Sequence, residues 1–222
     1  MYRLMSKWSS QPEYIRSKTW YFMPMVNPDG YEYSRRKDRL WRKNRSRSKI
    51  STCRGVDLNR NFNIGWNTIG SSENPCRNNY HGPRPHSERE TKAIVTYLKS
   101  IEKNLVAFLT FHSYGQVFVY PYGYRPLKTK QYKTLERVGL EAADIIRRRT
   151  GKKYDVGVTY STLSPSGGGA DDWTCAMLNV KYVYTIELRD RGRYGFLLPP
   201  KQIAPTGLEG YTMVRTVARD IV

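Results

Sequence analysis

YVYTIELRDRGRYGFLLP, residues Tyr182 to Pro199, opens with a β-branched and aromatic run that reads as a buried strand. It carries one acid, Glu187, at the polar end of that run. A carboxylate there must be paired, neutralised or engaged in chemistry, because an isolated buried charge is costly. Two other segments repeat the arrangement of a polar group on an apolar run. FHSYGQ, Phe111 to Gln116, puts His112 at the end of a strand read from Leu105 to Phe111, and DLNRNF, Asp57 to Phe62, sets Arg60 beside Asn59.

Helical patterns fill the intervals between the strands. Ser87 and Glu90 have capping-box spacing ahead of Ile94, Val95, Leu98 and Ile101, which predicts a helix over 87–103. Leu135, Val138, Ala142, Ile145 and Ile146 mark a second amphipathic helix that Gly151 closes, and Pro205 opens a terminal one. WYFMPMV, Trp20 to Val26, reads as another buried strand, cut short by a tight reversal at Asn27-Pro28-Asp29-Gly30. Strands alternating with helices predict an α/β fold, three-layer α/β/α around a central mixed, mostly parallel sheet. Reactive side chains in such folds gather at strand ends.

The 222 residues suit one domain, and no internal repeat suggests a solenoid. With 39% hydrophobic residues and 18 tyrosines, the chain is too rich in core-forming groups for a disordered protein. A formal charge of +19 attracts polyanions, and the densest stretch, Arg35 to Lys49, holds nine Lys or Arg against the single acid Asp38. Such a run is either a solvated surface or a polyanion site. No stretch approaches the ~20 apolar residues of a membrane span, and MYRLMSKWSS has no apolar signal-peptide core. Three cysteines, Cys53, Cys76 and Cys175, allow one disulfide with a free thiol left over. The Asn44-Arg45-Ser46 triplet is a glycosylation sequon.

Single residues leave alternatives open. His112 suits a metal ligand at the mouth of a crevice, or a structural hydrogen-bonder. Arg60 next to Asn59 suits a terminal carboxylate gripped by paired hydrogen bonds, or a bridge to Asp57 in the same loop. Arg42, in RLWRKNRS, is a candidate site residue or one more member of the basic run.

Seven collinear segments together carry a resemblance: NPDGY (27–31), RLWRKNRS (39–46), CRGVDLNRNF (53–62), NPCRNNYHG (74–82), FHSYGQVFVYPYGY (111–124), GGGADDW (167–173) and ELRDRGRYGFLLP (187–199). In order and spacing, from about Trp20 to the C-terminus, the chain resembles the funnelin-type zinc metallocarboxypeptidases, the carboxypeptidase A and B family. The resemblance implies a hydrolase that cleaves the C-terminal peptide bond with Zn2+ as cofactor, secreted and monomeric. It implies Glu187 as general base, Arg42 as oxyanion stabiliser and His112 as the third zinc ligand. Asn59 and Arg60 would bind the substrate's terminal carboxylate, with Tyr114 a substrate-contacting aromatic. Asp171 matches the pocket-floor acid of B-type enzymes, so the partners implied are peptide C-termini ending in Lys or Arg. Cys53 and Cys76 fall where pancreatic members form a disulfide.

Two departures qualify the implied activity. The family's other two zinc ligands come from an HxxE motif upstream of the NPDG turn; here no histidine precedes Asn27, and Glu13 is the only acid there. One of three expected protein ligands is present. The expectation is a single partial catalytic domain over 1–222, incomplete at its N-terminal side, inactive as it stands, with a non-catalytic peptide or polyanion binder as the alternative. In addition, Ser164 stands where the family has a phenolic tyrosine that closes over substrate.

Overall fold

A computed structural model describes residues 1–221. In chain order its elements are α1 (Tyr2–Met5), α2 (Glu13–Arg16), α3 (Pro28–Arg36), α4 (Arg89–Ser100), β1 (Ala107–Ser113), β2 (Val117–Tyr120), α5 (Tyr132–Thr150), β3 (Asp155–Val158), α6 (Thr159–Thr162), α7 (Ala170–Leu178), β4 (Tyr182–Leu188) and α8 (Ile203–Asp220). The four strands form one mixed sheet in the order β1-β4-β2-β3. β1 runs parallel to β4 and β2 parallel to β3, while β2 and β4 are antiparallel. The layered α/β architecture read from the sequence is present.

Alternation along the strands sends side chains to two different cores. Tyr182, Tyr184 and Ile186 of β4, with Phe118 and Tyr120 of β2, pack on Leu135, Val138, Ala142 and Ile146 of α5 and on Met213 and Val217 of α8. On the opposite face, Phe108 of β1 packs into a cluster of Ile94, Val95 and Leu98 from α4, Trp173 from α7 and Phe62. The chain is therefore helix, sheet, helix in section. Arg189, just past β4, forms a buried ion pair with Glu209 of α8 (2.5 Å), and Tyr154 and Thr150 donate to the same carboxylate. A buried charge with all its partners in place holds the end of β4 in one position relative to α8.

The structure departs from the sequence expectations in four places. Asn27-Pro28-Asp29-Gly30 starts a helix rather than a tight reversal: the Asn27 side chain accepts the Gly30 N–H at 3.0 Å and Pro28 takes the first helical position. The capping box does not form. α4 begins at Arg89 with Glu88 as its cap residue, and Ser87 donates instead to Glu88 (2.6 Å). The strand read at 105–111 sits two residues later, so His112 lies within β1 rather than beyond it. Trp20 to Val26 is not a strand; Tyr21, Phe22, Met23, Met25 and Val26 are all exposed. Among the described residues no strand lies beside that segment to pair with it, and β1 likewise has only β4 as neighbour, leaving one edge open.

Candidate active site

The parallel register pairs His112 of β1 with Glu187 of β4, and Thr110 with Thr185 one step deeper. Directly opposed residues project to the same face, here the face covered by α7. The polar ends of two apolar strands thus create a short polar ledge above the Phe108 core. Thr110 and the His112 Nε2 lie 3.0 Å apart, and Thr185 donates to Asp171 of α7 at 2.8 Å. Burial lowers the basicity of the imidazole, with Arg42 and Arg60 pressing the same way against Asp171 and Asp57.

Glu187 is 9% exposed, and its Oε2 has no hydrogen-bond partner among the described residues. Burial pushes its pKa up to about 7, partly offset by Arg42 and reinforced by Asp171. An orphaned buried carboxylate oxygen is expensive and marks a group kept for a task rather than for the fold.

Arg42 belongs to this site and not merely to the basic run. Its Nε donates to Asp57 Oδ2 at 2.8 Å, and that ion pair raises its pKa. Asp57 is buried and its other oxygen accepts the Asn59 N–H at 3.1 Å, so one carboxylate orients both the oxyanion candidate and the loop holding Arg60. The alternative in which Asp57 bridges to Arg60 is not realised; Asp57 pairs with Arg42. The signal was the acid opening DLNRNF, two residues ahead of the Asn-Arg pair. Arg60 instead donates Nε to the Gly70 carbonyl (3.0 Å) and Nη1 to the Asn59 carbonyl (2.7 Å). Burial lowers its pKa.

The glycine run before Asp171 explains how α7 reaches this loop. Gly168 has φ +78°, and a Cβ there would collide with the carbonyl of Arg60. Phe62 N–H donates to the Gly168 carbonyl, and Ala170 N–H to the Asn59 side-chain oxygen (3.0 Å), capping α7 and leaving the Asn59 amide group as a donor. Asp171 is thereby buried in the first turn of α7, where the dipole favours an anion. Its neighbour Asp172 accepts the N–H groups of Gly123 and Tyr124 and holds that loop; burial and the adjacent Asp171 push its pKa up.

His112, Glu187, Arg42, Asn59, Arg60 and Asp171 are thus gathered around one region, linked through Asp57 and Thr185. Tyr114 lies half exposed, edge-on to Phe196 at 4.9 Å. Ser164 is exposed in the loop after α6, and the adjoining Pro165 and Ser166 close against Gly70, the partner of Arg60. No arrangement of three His, Cys, Asp or Glu among the described residues is able to hold a metal ion. His81 and His86 are engaged in their own loop, with Gly82 and Asn67 and with the Asn63 N–H. A family-type zinc does not fit a donor set with one imidazole.

Cys53 and Cys76 form a disulfide with Cα atoms 5.2 Å apart, and Cys175 is a buried free thiol. Asn44 is 2% exposed and donates to Glu88 at 2.7 Å, so the sequon is closed in the folded chain. Among the described residues no helix is long and apolar enough to cross a membrane.

The comparison with known proteins agrees with this geometry. The family model described as zinc carboxypeptidase matches residues 1–213. Carboxypeptidase B of Astacus astacus is 41% identical over 205 residues, which are 92% of this chain and 68% of the crayfish protein. Carboxypeptidase A2 of Mus musculus is 43% identical over 201 residues, 90% of this chain and 48% of its own length. The crystal structure of thrombin activatable fibrinolysis inhibitor superposes with a TM-score of 0.91 at 37% identity, covering 97% of this chain and 55% of that one. The chain therefore spans about half to two thirds of the proteins it matches. With both sequence and fold shared from end to end of the match, it belongs to the zinc carboxypeptidase family.

Proposed function

We propose that this chain recognises the free C-terminus of a peptide ending in lysine or arginine, and that it carries the carboxylate-binding and proton-transfer groups of a carboxypeptidase site without that site's metal centre. The observation that carries this reading is the buried Asp171, held by Thr185 at the foot of a region otherwise lined by Arg42, Asn59 and Arg60. The Asn59 amide and the remaining Arg60 donors would take the terminal carboxylate, which makes the reading one of exopeptidase type. Asp171 would then face a substrate side chain of opposite charge. Tyr114 would flank the bound peptide, and Ser164 is too short to close over it as a phenol would.

Glu187, poised near neutrality, is suited to take a proton from a water attacking the peptide carbonyl and to pass it to the amine that leaves as the C–N bond breaks. Arg42, fixed by Asp57, faces the charge that develops on the carbonyl oxygen. The family's metal is not part of these steps, because His112 alone does not make a zinc centre. Residues 1–221 are accordingly proposed to bind such C-termini without turning them over. The Cys53–Cys76 bridge supports an oxidising, extracellular setting. The +19 charge adds polyanions as a second partner class, drawn to Arg35 to Lys49.

Calorimetry in the presence of a chelator tests the reading with Gly-Gly-Arg, its C-terminal amide and Gly-Gly-Leu. Gly-Gly-Arg should bind at least about ten-fold tighter than either of the others, and Asp171→Asn should erase its advantage over Gly-Gly-Leu. Equal affinity for all three peptides would overturn the proposal.

A further inference from the structure

Away from the peptide site, the loop from Lys43 to Arg54 folds over the Cys53–Cys76 bridge and encloses a cleft of about 310 Å³ lined by Trp41, Lys43, Arg45, Thr52, Arg54 and Asn78. None of these lining groups is acidic. Lys43, Arg45, Arg47, Lys49 and Arg54 form no salt bridge among the described residues, whereas Arg35, Arg36 and Arg42 are paired with Glu32 and Asp57. Arg47 and Arg54 face one another across an antiparallel β-bridge. Like charges directly opposed across such a bridge repel, and an anion shared between them reverses the sign of the interaction.

Three observations narrow the anion. The ring faces of Tyr33 and Trp41 are covered by the Arg45 guanidinium, 3.6 and 4.3 Å from their centroids, so no aromatic platform is free to stack a nucleobase. The disulfide at the cleft wall belongs to an oxidising compartment, where sulfated polysaccharide is an abundant polyanion. The planar guanidinium fork bonds two oxygens at once of a sulfate or a carboxylate. We infer that this cleft binds a sulfated glycan chain through Arg45, Arg47 and Arg54. The inference rests on the polyanion reading above and narrows it to one place; it does not depend on peptide binding.

The test is calorimetry of the 222-residue protein with a heparin octasaccharide over a series of salt concentrations. Two double variants of equal charge are compared, Arg47→Ser with Arg54→Ser at the cleft and Lys133→Ser with Arg147→Ser on α5, across the sheet. The cleft pair should weaken binding about ten-fold or more at 0.15 M salt and reduce the salt slope by roughly one to two, and the α5 pair by less than about three-fold. Equal loss from both pairs overturns the cleft while leaving diffuse polyanion attraction; absence of binding by the unaltered protein overturns both. Undiminished affinity for a fully desulfated octasaccharide, or tighter binding of oligothymidylate or phosphatidylserine vesicles, overturns the assignment to a sulfated glycan. Independently of any variant, the octasaccharide should slow amide exchange across residues 43–54 of the unaltered protein, and unchanged exchange there overturns the proposal.

Discussion

At the scale of single residues, Glu187 is the position where stability and activity are set against each other. Its carboxyl titrates near 4.5 in an unfolded chain and at about 7 in the fold, chiefly because it is buried. Between those two values the folded state holds a proton that the unfolded state has released, so stability falls as pH rises, by roughly 2–3 kcal/mol between pH 5 and pH 9. Glutamine at this position escapes the cost. The stability of Glu187→Gln relative to the unaltered protein, measured by urea unfolding, should therefore rise by that amount over the same range. Parallel pH profiles would show that the carboxylate is not desolvated in solution. Glu187 and His112 were legible because each lies at the polar end of an apolar strand, whereas Arg42, within a basic run, was marked only by the family resemblance. What was not legible is who holds whom: Asp57 serves Arg42 rather than Arg60, a choice made by tertiary packing between loops 15 residues apart.

At the scale of elements, the long amphipathic helix α5 ends where the sequence predicts, and Gly151 shows why. It adopts φ +70° at the end of α5, and a Cβ there would meet nothing within 4 Å. Gly151→Ala should thus cost about 1 kcal/mol from backbone conformation alone, visible as a small fall in the denaturation midpoint, whereas a much larger loss would indicate a hidden steric role. Helix α4 was found from its apolar spacing but its start was misjudged, because Ser87 bonds to Glu88 and Asn61 and Glu90 is taken by Asn44. Trp20 to Val26 misled the strand reading because its apolar run is spent on separate contacts rather than on a strand partner: Trp20 packs toward the Leu4, Ile15 and Val214 cluster while Tyr21 meets Tyr97 of α4. The open edge of β1 carries the consequence. An uncharged parallel edge strand invites pairing with other chains, so Val106→Lys, at an exposed position just ahead of β1, should lower concentration-dependent association in sedimentation velocity. No change would mean that the edge is protected in solution.

At the scale of the whole molecule, the fold and the family are more legible than the activity. Collinear segments fix the order of strands and loops, and the sheet that results brings His112, Glu187, Arg42 and Asp171 into one electrostatic neighbourhood. A metal centre is a stricter demand than a neighbourhood, since it needs three donors at bonding distance together with open space for a fourth. Glu187 and Asp171 are acids close to His112, yet the first is the proposed base and the second is held by Thr185, and among the described residues they form no donor cluster with the imidazole. Metal affinity depends steeply on the number of ligands fixed in advance by the fold, so a lone imidazole leaves zinc essentially free in water. The 222-residue chain, equilibrated with micromolar zinc and passed through a desalting column, should retain well below about 0.1 zinc per molecule by mass spectrometry of the metal. Its affinity for Gly-Gly-Arg should be the same before and after. A stoichiometry near one that disappears in His112→Asn would show that the polar ledge recruits donors from within these residues after all, and the recognition-only reading would give way to a catalytic one.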